Sequence, residues 1–106
     1  MTDQEIEKII QAKNLTAPRV TLEDVLDNIA HIEVVKHISL GGKVLRWAVI
    51  TTKCGFAVTG KPSAAVSPEN DNIEIGEKVA IDNARDEMWA LMGYALANKL
   101  AEGKAA

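Results

Sequence analysis

The segment KVLRWAVITT, residues 43–52, is apolar on both sides of an extended chain. Alternate side chains of a strand point to opposite faces. Leu45, Trp47 and Val49 therefore share one face, and Val44, Ala48 and Ile50 share the other. A strand of this kind does not suit the wet edge of a one-sided sheet. It belongs in the centre, with a cover over each face.

Its neighbours in the chain supply the rest of a sheet. HIEVVKHISL alternates, with Ile32, Val34, Ile38 and Leu40 on one face. The glycine pair at 41–42 reads as a two-residue hairpin turn, because glycine accepts positive φ freely. That loop length sets Leu40 opposite Lys43, Ile38 opposite Leu45, Lys36 opposite Trp47 and Val34 opposite Val49, apolar on apolar. Lys36 would then rest on the indole. TKCGF forms a second hairpin, a three-residue loop with Gly55 in the left-handed conformation, and FAVTG is the third strand. The expectation is an antiparallel meander with residues 43–52 in the middle.

Helical punctuation surrounds this sheet. Thr2 with Glu5 makes a capping box for a short amphipathic helix over residues 3–13, with Ile6, Ile9 and Ile10 on one face. Thr21 with Asp24 makes another for a helix over 22–30, with Val25, Leu26 and Ile29 inward and Val20 stapled to Val25. Pro18 keeps the linker between them out of helix. Residues 61–70 read as a loop. From about Asp71 to Glu102 the period is helical again. Gly76, Ala80 and Ala84 form a small-residue stripe suited to close approach, and Met88, Trp89, Leu91, Met92, Leu96 and Leu100 are bulky. Ala90, Gly93 and Ala97 make a second small stripe. The long helix can cover one face of the sheet. The other is left to the N-terminal helices or to a second subunit, and the surplus of apolar surface predicts a homodimer, the commonest oligomer.

A chain of 106 residues has room for one ordinary core, so residues 1–106 are expected to form a single α+β domain. Residues 1–15 are expected to carry a helix able to move against the rest, and 103–106 to fray. No apolar run approaches the roughly 20 residues of a membrane span. The acidic start, MTDQEIEKII, does not resemble a secretory signal. The net charge of −3 argues against a general nucleic-acid binder while leaving room for a local basic patch.

Several residues invite a chemical reading. Ser67, Glu69, Asp71 and Glu74 crowd around Pro68 and resemble a catalytic or metal-binding cluster. Each also has a structural role: Ser67 caps a turn begun by Pro68, Asp71 and Glu74 form a capping box, and first-turn carboxylates suit the helix dipole. The segment reads as a helix start. His31 and Glu33, with His37 beyond, share a strand face with Val35, but two ligands do not make a metal site. Cys54, at a hairpin tip, lacks a visible base or oxyanion donor. The glycines fit neither a dinucleotide fingerprint nor a phosphate loop. No catalytic residue, metal or cofactor is expected. Charge is distributed unevenly. Lys36, Lys43, Arg46, Lys53 and Lys61 face only Glu33 across residues 33–62, while residues 67–87 hold seven acids against Lys78 and Arg85. The basic residues are a candidate partner-binding surface.

APRVT before a capped helix, the hairpin CGFAVTG, SPEN, EIGEKVAIDNAR and a Trp followed by GY occur in this order. In that order, across residues 16–100, they resemble a family of small, uncharacterised bacteriophage and prophage proteins. This chain departs from the family pattern at Cys54, where an asparagine is expected, and at Asn72, where an aromatic and then an acid are expected after the cap. The resemblance implies a small α+β domain of phage or prophage origin working in the host cytoplasm. It brings no catalytic residues. The expected function is an accessory protein that binds an unidentified host or phage macromolecule. The alternatives are a small enzyme or ligand-binding domain with a pocket between sheet and C-terminal helix, and nucleic-acid binding through the basic hairpin.

Overall fold

The computed structural model describes residues 2–13 and 17–105. In chain order the elements are α1 (Asp3–Ala12), α2 (Leu22–Asp27), β1 (Ile29–Ile38), β2 (Val44–Thr52), β3 (Ala57–Thr59), β4 (Ser63–Ala64), a 3-10 turn (Pro68–Asn70) and α3 (Ile73–Ala105). The sheet is antiparallel in the order β1-β2-β3, with α3 packed across it, an α+β architecture. Strand β4, unforeseen in the loop at 61–70, adds to β2 through the pairs Leu45–Ala64 and Arg46–Ser63. Among the described residues no helix is long and apolar enough to cross a membrane.

The caps form as their side chains dictate. Thr2 accepts the Glu5 amide. Thr21 and Asp24 complete a reciprocal capping box. Helix α2 stops at Asp27 rather than continuing to residue 30, so Ile29 already belongs to β1. Val25 is fully buried, but Leu26 faces solvent, against the inward position expected for it. Helix α1 buries none of its residues, and Ile6 and Ile9 remain exposed. A bidentate ion pair between Glu7 and Arg19, at 2.6 and 2.7 Å, ties it to the segment before α2.

The first hairpin differs from the expected one. Its loop has three residues, Leu40, Gly41 and Gly42, with only Gly42 at positive φ (82°). The Ser39 amide donates to Lys43 O, the Gly42 amide donates to Ser39 O, and Ser39 Oγ accepts the Lys43 amide. The hairpin at 53–55 has the same geometry, with Gly55 at φ 93° as expected. The added loop residue slips the first register by one, and a one-residue slip reverses every face relation. Val35, not Lys36, lies opposite Trp47. Lys36 lies opposite Arg46, and Val34 opposite Ala48. Leu40 leaves the strand face and is fully exposed. The slipped register sets Ile32, Val34 and Ile38 on the same side as Ala48 and Ile50.

That side carries the core of Val25, Ala48, Ile50, Val58, Ala80, Ala84 and Met88. The stripe expected from Gly76, Ala80 and Ala84 is the contact line. A Cβ on Gly76 would sit 3.0 Å from Arg46 Nη1, so the missing side chain makes room for the guanidinium. A Cβ on Gly60 would sit 2.3 Å from the Ala84 nitrogen. The end of β3 therefore lies backbone against backbone on α3, where Asn83 Nδ2 also donates to Lys61 O. With 33 residues, α3 is about 50 Å long and outruns the sheet it covers. Met88 is buried and Trp89 and Met92 pack on the core, whereas Leu91, between them on the outer side of the helix, and Leu100, near its end, are exposed.

Candidate interaction surface

Both N-terminal helices lie on the α3 side of the sheet. Val25 of α2 enters the core, and α1 meets Trp89 across a cleft of about 240 Å3. The second cover asked for by β2 is thus not supplied by these helices. Among the described residues no element lies over the other face. Trp47 stands at its centre, with Leu45 and Val49 along β2 and Val35 beside it on β1. His37 packs its ring 6.4 Å from the Trp47 ring, tilted by 47°. His31, Glu33, Thr51 and Thr59 complete a polar rim. The slipped register explains this mixed composition, since it turned the more apolar side of β1 toward α3. His31, Glu33 and His37 do share a face, but among the described residues no three metal-binding side chains cluster.

The five basic residues do not form one surface. Lys43 and Lys53 flank opposite ends of β2, about 30 Å apart along an extended strand. Lys53 lies by Asp24 and Asp27, and Lys61 follows β3 near Asn83. Lys43 Nζ donates to Val66 O. Lys36 stays exposed on β1. Arg46, placed with the basic surface on sequence grounds, is only 4% exposed and points under α3.

Arg46 meets the polar cluster there. Its Nη1 and Nη2 donate to the two carboxylate oxygens of Asp71 at 2.6 and 3.2 Å. This corrects the role given to Asp71. The cap of α3 is Asn72, whose Oδ1 accepts the Ile75 amide at 3.0 Å. The departure of residue 72 from the family pattern is therefore a capping residue, and Asp71 serves the ion pair. Ser67 accepts the Asn70 amide on its backbone oxygen, closing the turn begun by Pro68, while Glu69 and Glu74 are exposed. The guanidinium hydrogen bonds hold the Asp71 carboxyl below the usual carboxylate range, against the opposing effect of burial. Ser63 Oγ donates to Gly76 O at 2.8 Å and completes the junction. A cleft of about 300 Å3 opens beside it, lined by Ser63, Asn70, Asp71, Asn72 and Val79 among others. This is the place a pocket between sheet and C-terminal helix would occupy. Its carboxylate is committed to Arg46; of the other cluster members, Ser67 closes a turn through its backbone oxygen and Glu69 and Glu74 point to solvent, so the capping box expected of Asp71 with Glu74 does not form.

Cys54 is exposed at the tip of its hairpin. The Thr52 hydroxyl beside its sulfur, at 3.4 Å, lowers the thiol pKa. Among the described residues, the side-chain partner of its sulfur is this hydroxyl and not a base. The burial of Arg46 was the least legible feature in sequence. The one available signal was its parity with Ala48 and Ile50 in a strand facing a glycine-bearing helix.

A profile of the phage protein (N4 Gp49/phage Sf6 gene 66) family matches residues 1–100. No curated protein and no solved structure matches the chain.

Proposed function

Because the chain belongs to the phage protein (N4 Gp49/phage Sf6 gene 66) family, we propose that it is a phage or prophage accessory protein that acts by binding another macromolecule and not by catalysis. The observation that carries this reading is the uncovered sheet face. An aromatic side chain at the centre, aliphatic neighbours and a polar rim are the anatomy of a protein-binding surface. The partner is a host or phage protein met in the host cytoplasm. The chain also self-associates as a homodimer, since its own fold leaves apolar side chains of β1 and α3 bare, Ile32, Ile38, Leu91 and Leu100 among them. Nucleic-acid binding through the hairpin draws less support, because Arg46 is spent on Asp71 and the lysines are dispersed.

The test is affinity capture from infected or lysogenic cells with the wild-type chain and with Trp47→Ser, their melting temperatures measured alongside. Capture of a defined protein by the wild type, lost in an equally stable Trp47→Ser variant, is the expected result. Equal capture by both would overturn it. So would recovery of nucleic acid whose binding falls steeply with salt.

A further inference from the structure

Strand β1 is the outer strand of the sheet and ten residues long, and among the described residues no strand pairs with its free edge. A long free edge with apolar side chains is a template for another strand, and soluble proteins ordinarily cover or blunt it. Here three aliphatic side chains stand on it partly bare: Ile32 at 44%, Val35 at 36% and Ile38 at 58% exposure.

We propose that two copies of the chain join edge to edge, β1 against β1, about a two-fold axis between the two copies of Val35, making one continuous sheet. This rests on the self-association proposed above and gives it a surface and a register. A two-fold axis perpendicular to a sheet keeps each face on its own side, so directly opposed residues must have the same parity, and the axis passes between the two copies of one residue. That leaves few registers. Centring on Glu33 sets Glu33 against itself, and centring on Lys36 sets Lys36 against itself. Like charges directly opposed are unfavourable. Centring on Val34 sets Ile32 against Lys36, Glu33 against Val35 and His31 against His37. Centring on Ile32 opposes His31 and Glu33, but runs into the irregularity between Ile29 and His31 and leaves Ile38 outside.

Val35 as centre opposes no like charges, keeps Ile38 inside the contact and leaves one aliphatic–lysine pair. Val35 meets its copy. Ile32 meets Ile38 and covers two of the bare aliphatic side chains. The Glu33 carboxylate meets an imidazole N–H of His37, twice by symmetry. Val34 meets the aliphatic stem of Lys36. Trp47 is the cross-strand neighbour of Val35. The joined sheet therefore carries a row of Trp47, Val35, Val35 and Trp47 across its open face, doubling the surface offered to a partner. An edge contact is smaller than the roughly 1,600 Å2 of a standard stable interface. The dimer is accordingly weak and concentration-dependent.

Sedimentation equilibrium over a wide concentration range tests the register with three variants. Wild type should reach twice the 11.4 kDa chain mass at high concentration. His37→Glu opposes like charges twice and should weaken association about tenfold. Glu33→Lys alone should also weaken it. Glu33→Lys combined with His37→Glu restores opposed charges and should recover the dimer. Both positions are exposed, and melting curves will show that the variants are folded. A wild type that stays monomeric at every concentration overturns the proposal. So does a dimer indifferent to His37→Glu, or one that the double substitution does not recover. A monomer that still captures its macromolecule through Trp47 would sink only the edge pairing. A charge-swappable dimer that captures nothing would sink only the accessory-binding reading.

Discussion

Replacing Gly60 by alanine sets two effects of opposite sign against each other. Gly60 is not at positive φ, so alanine is conformationally acceptable there. By chain entropy alone the substitution should stabilise by about 0.4–1 kcal/mol. Against this, the new Cβ would lie 2.3 Å from both the Ala84 nitrogen and the Asn83 carbonyl carbon, and 2.5 Å from the Asn83 oxygen. Comfortable separation is about 3.5 Å. All three obstructing atoms are backbone of α3, so no side chain can rotate away. The end of β3 must withdraw from α3 by about 1 Å. That strains the bond from Asn83 Nδ2 to Lys61 O and loosens Val58 against Ala80 and Ala84. Overpacking ordinarily costs about 1–3 kcal/mol, and an obstruction made of backbone belongs at the top of that range or above it. The net expectation is a loss of about 2–3 kcal/mol, read as a fall in melting temperature of roughly 10–20 °C. Gly93→Ala is the control. It lies inside α3 with no atom within 4 Å of its would-be Cβ, and should stabilise by about 1 kcal/mol. Urea unfolding of both variants beside the wild type decides the matter. A neutral or stabilising Gly60→Ala would refute the close approach of β3 to α3, and with it the packing argument for the small-residue stripe.

Two further outcomes follow from the start of α3. Asn72→Ala should cost about 1 kcal/mol in urea unfolding, because it removes the oxygen that accepts the Ile75 amide. Asp71 has a folded pKa depressed by Arg46, so the stability it contributes is complete above the ordinary aspartate value of 3.8 and is lost as pH falls below that, through the folded value. Asp71→Asn should therefore lower stability at neutral pH and flatten the acid limb of the pH–stability profile; profiles that run parallel from neutral to acid pH would refute the linkage.

Caps, turn glycines and hydrophobic period are local properties, and the chain by itself determined them. Thr21 with Asp24 announces α2, Gly55 announces a three-residue hairpin, and Gly76, Ala80 and Ala84 mark the face on which α3 lies. Residues within a few positions of one another satisfy each other's hydrogen bonds, so their pattern survives without the rest of the molecule. Other features depended on partners far along the chain. The glycines at 41–42 admit either a two- or a three-residue loop. The choice fell to the side of β1 that fits under α3, which put Val35 beside Trp47. Asp71 has the sequence signature of a cap, yet Asn72 takes that place, because Arg46 is left under the helix where Gly76 makes room and needs a carboxylate there. Strand β4 has no period of its own and exists because β2 offers free hydrogen bonds beyond β3. Whether the second face of β2 would be covered was likewise a tertiary matter. Apolar residues on both faces state the requirement for two covers, but only the packing of α1 and α2 beside α3 decided that one face stays open.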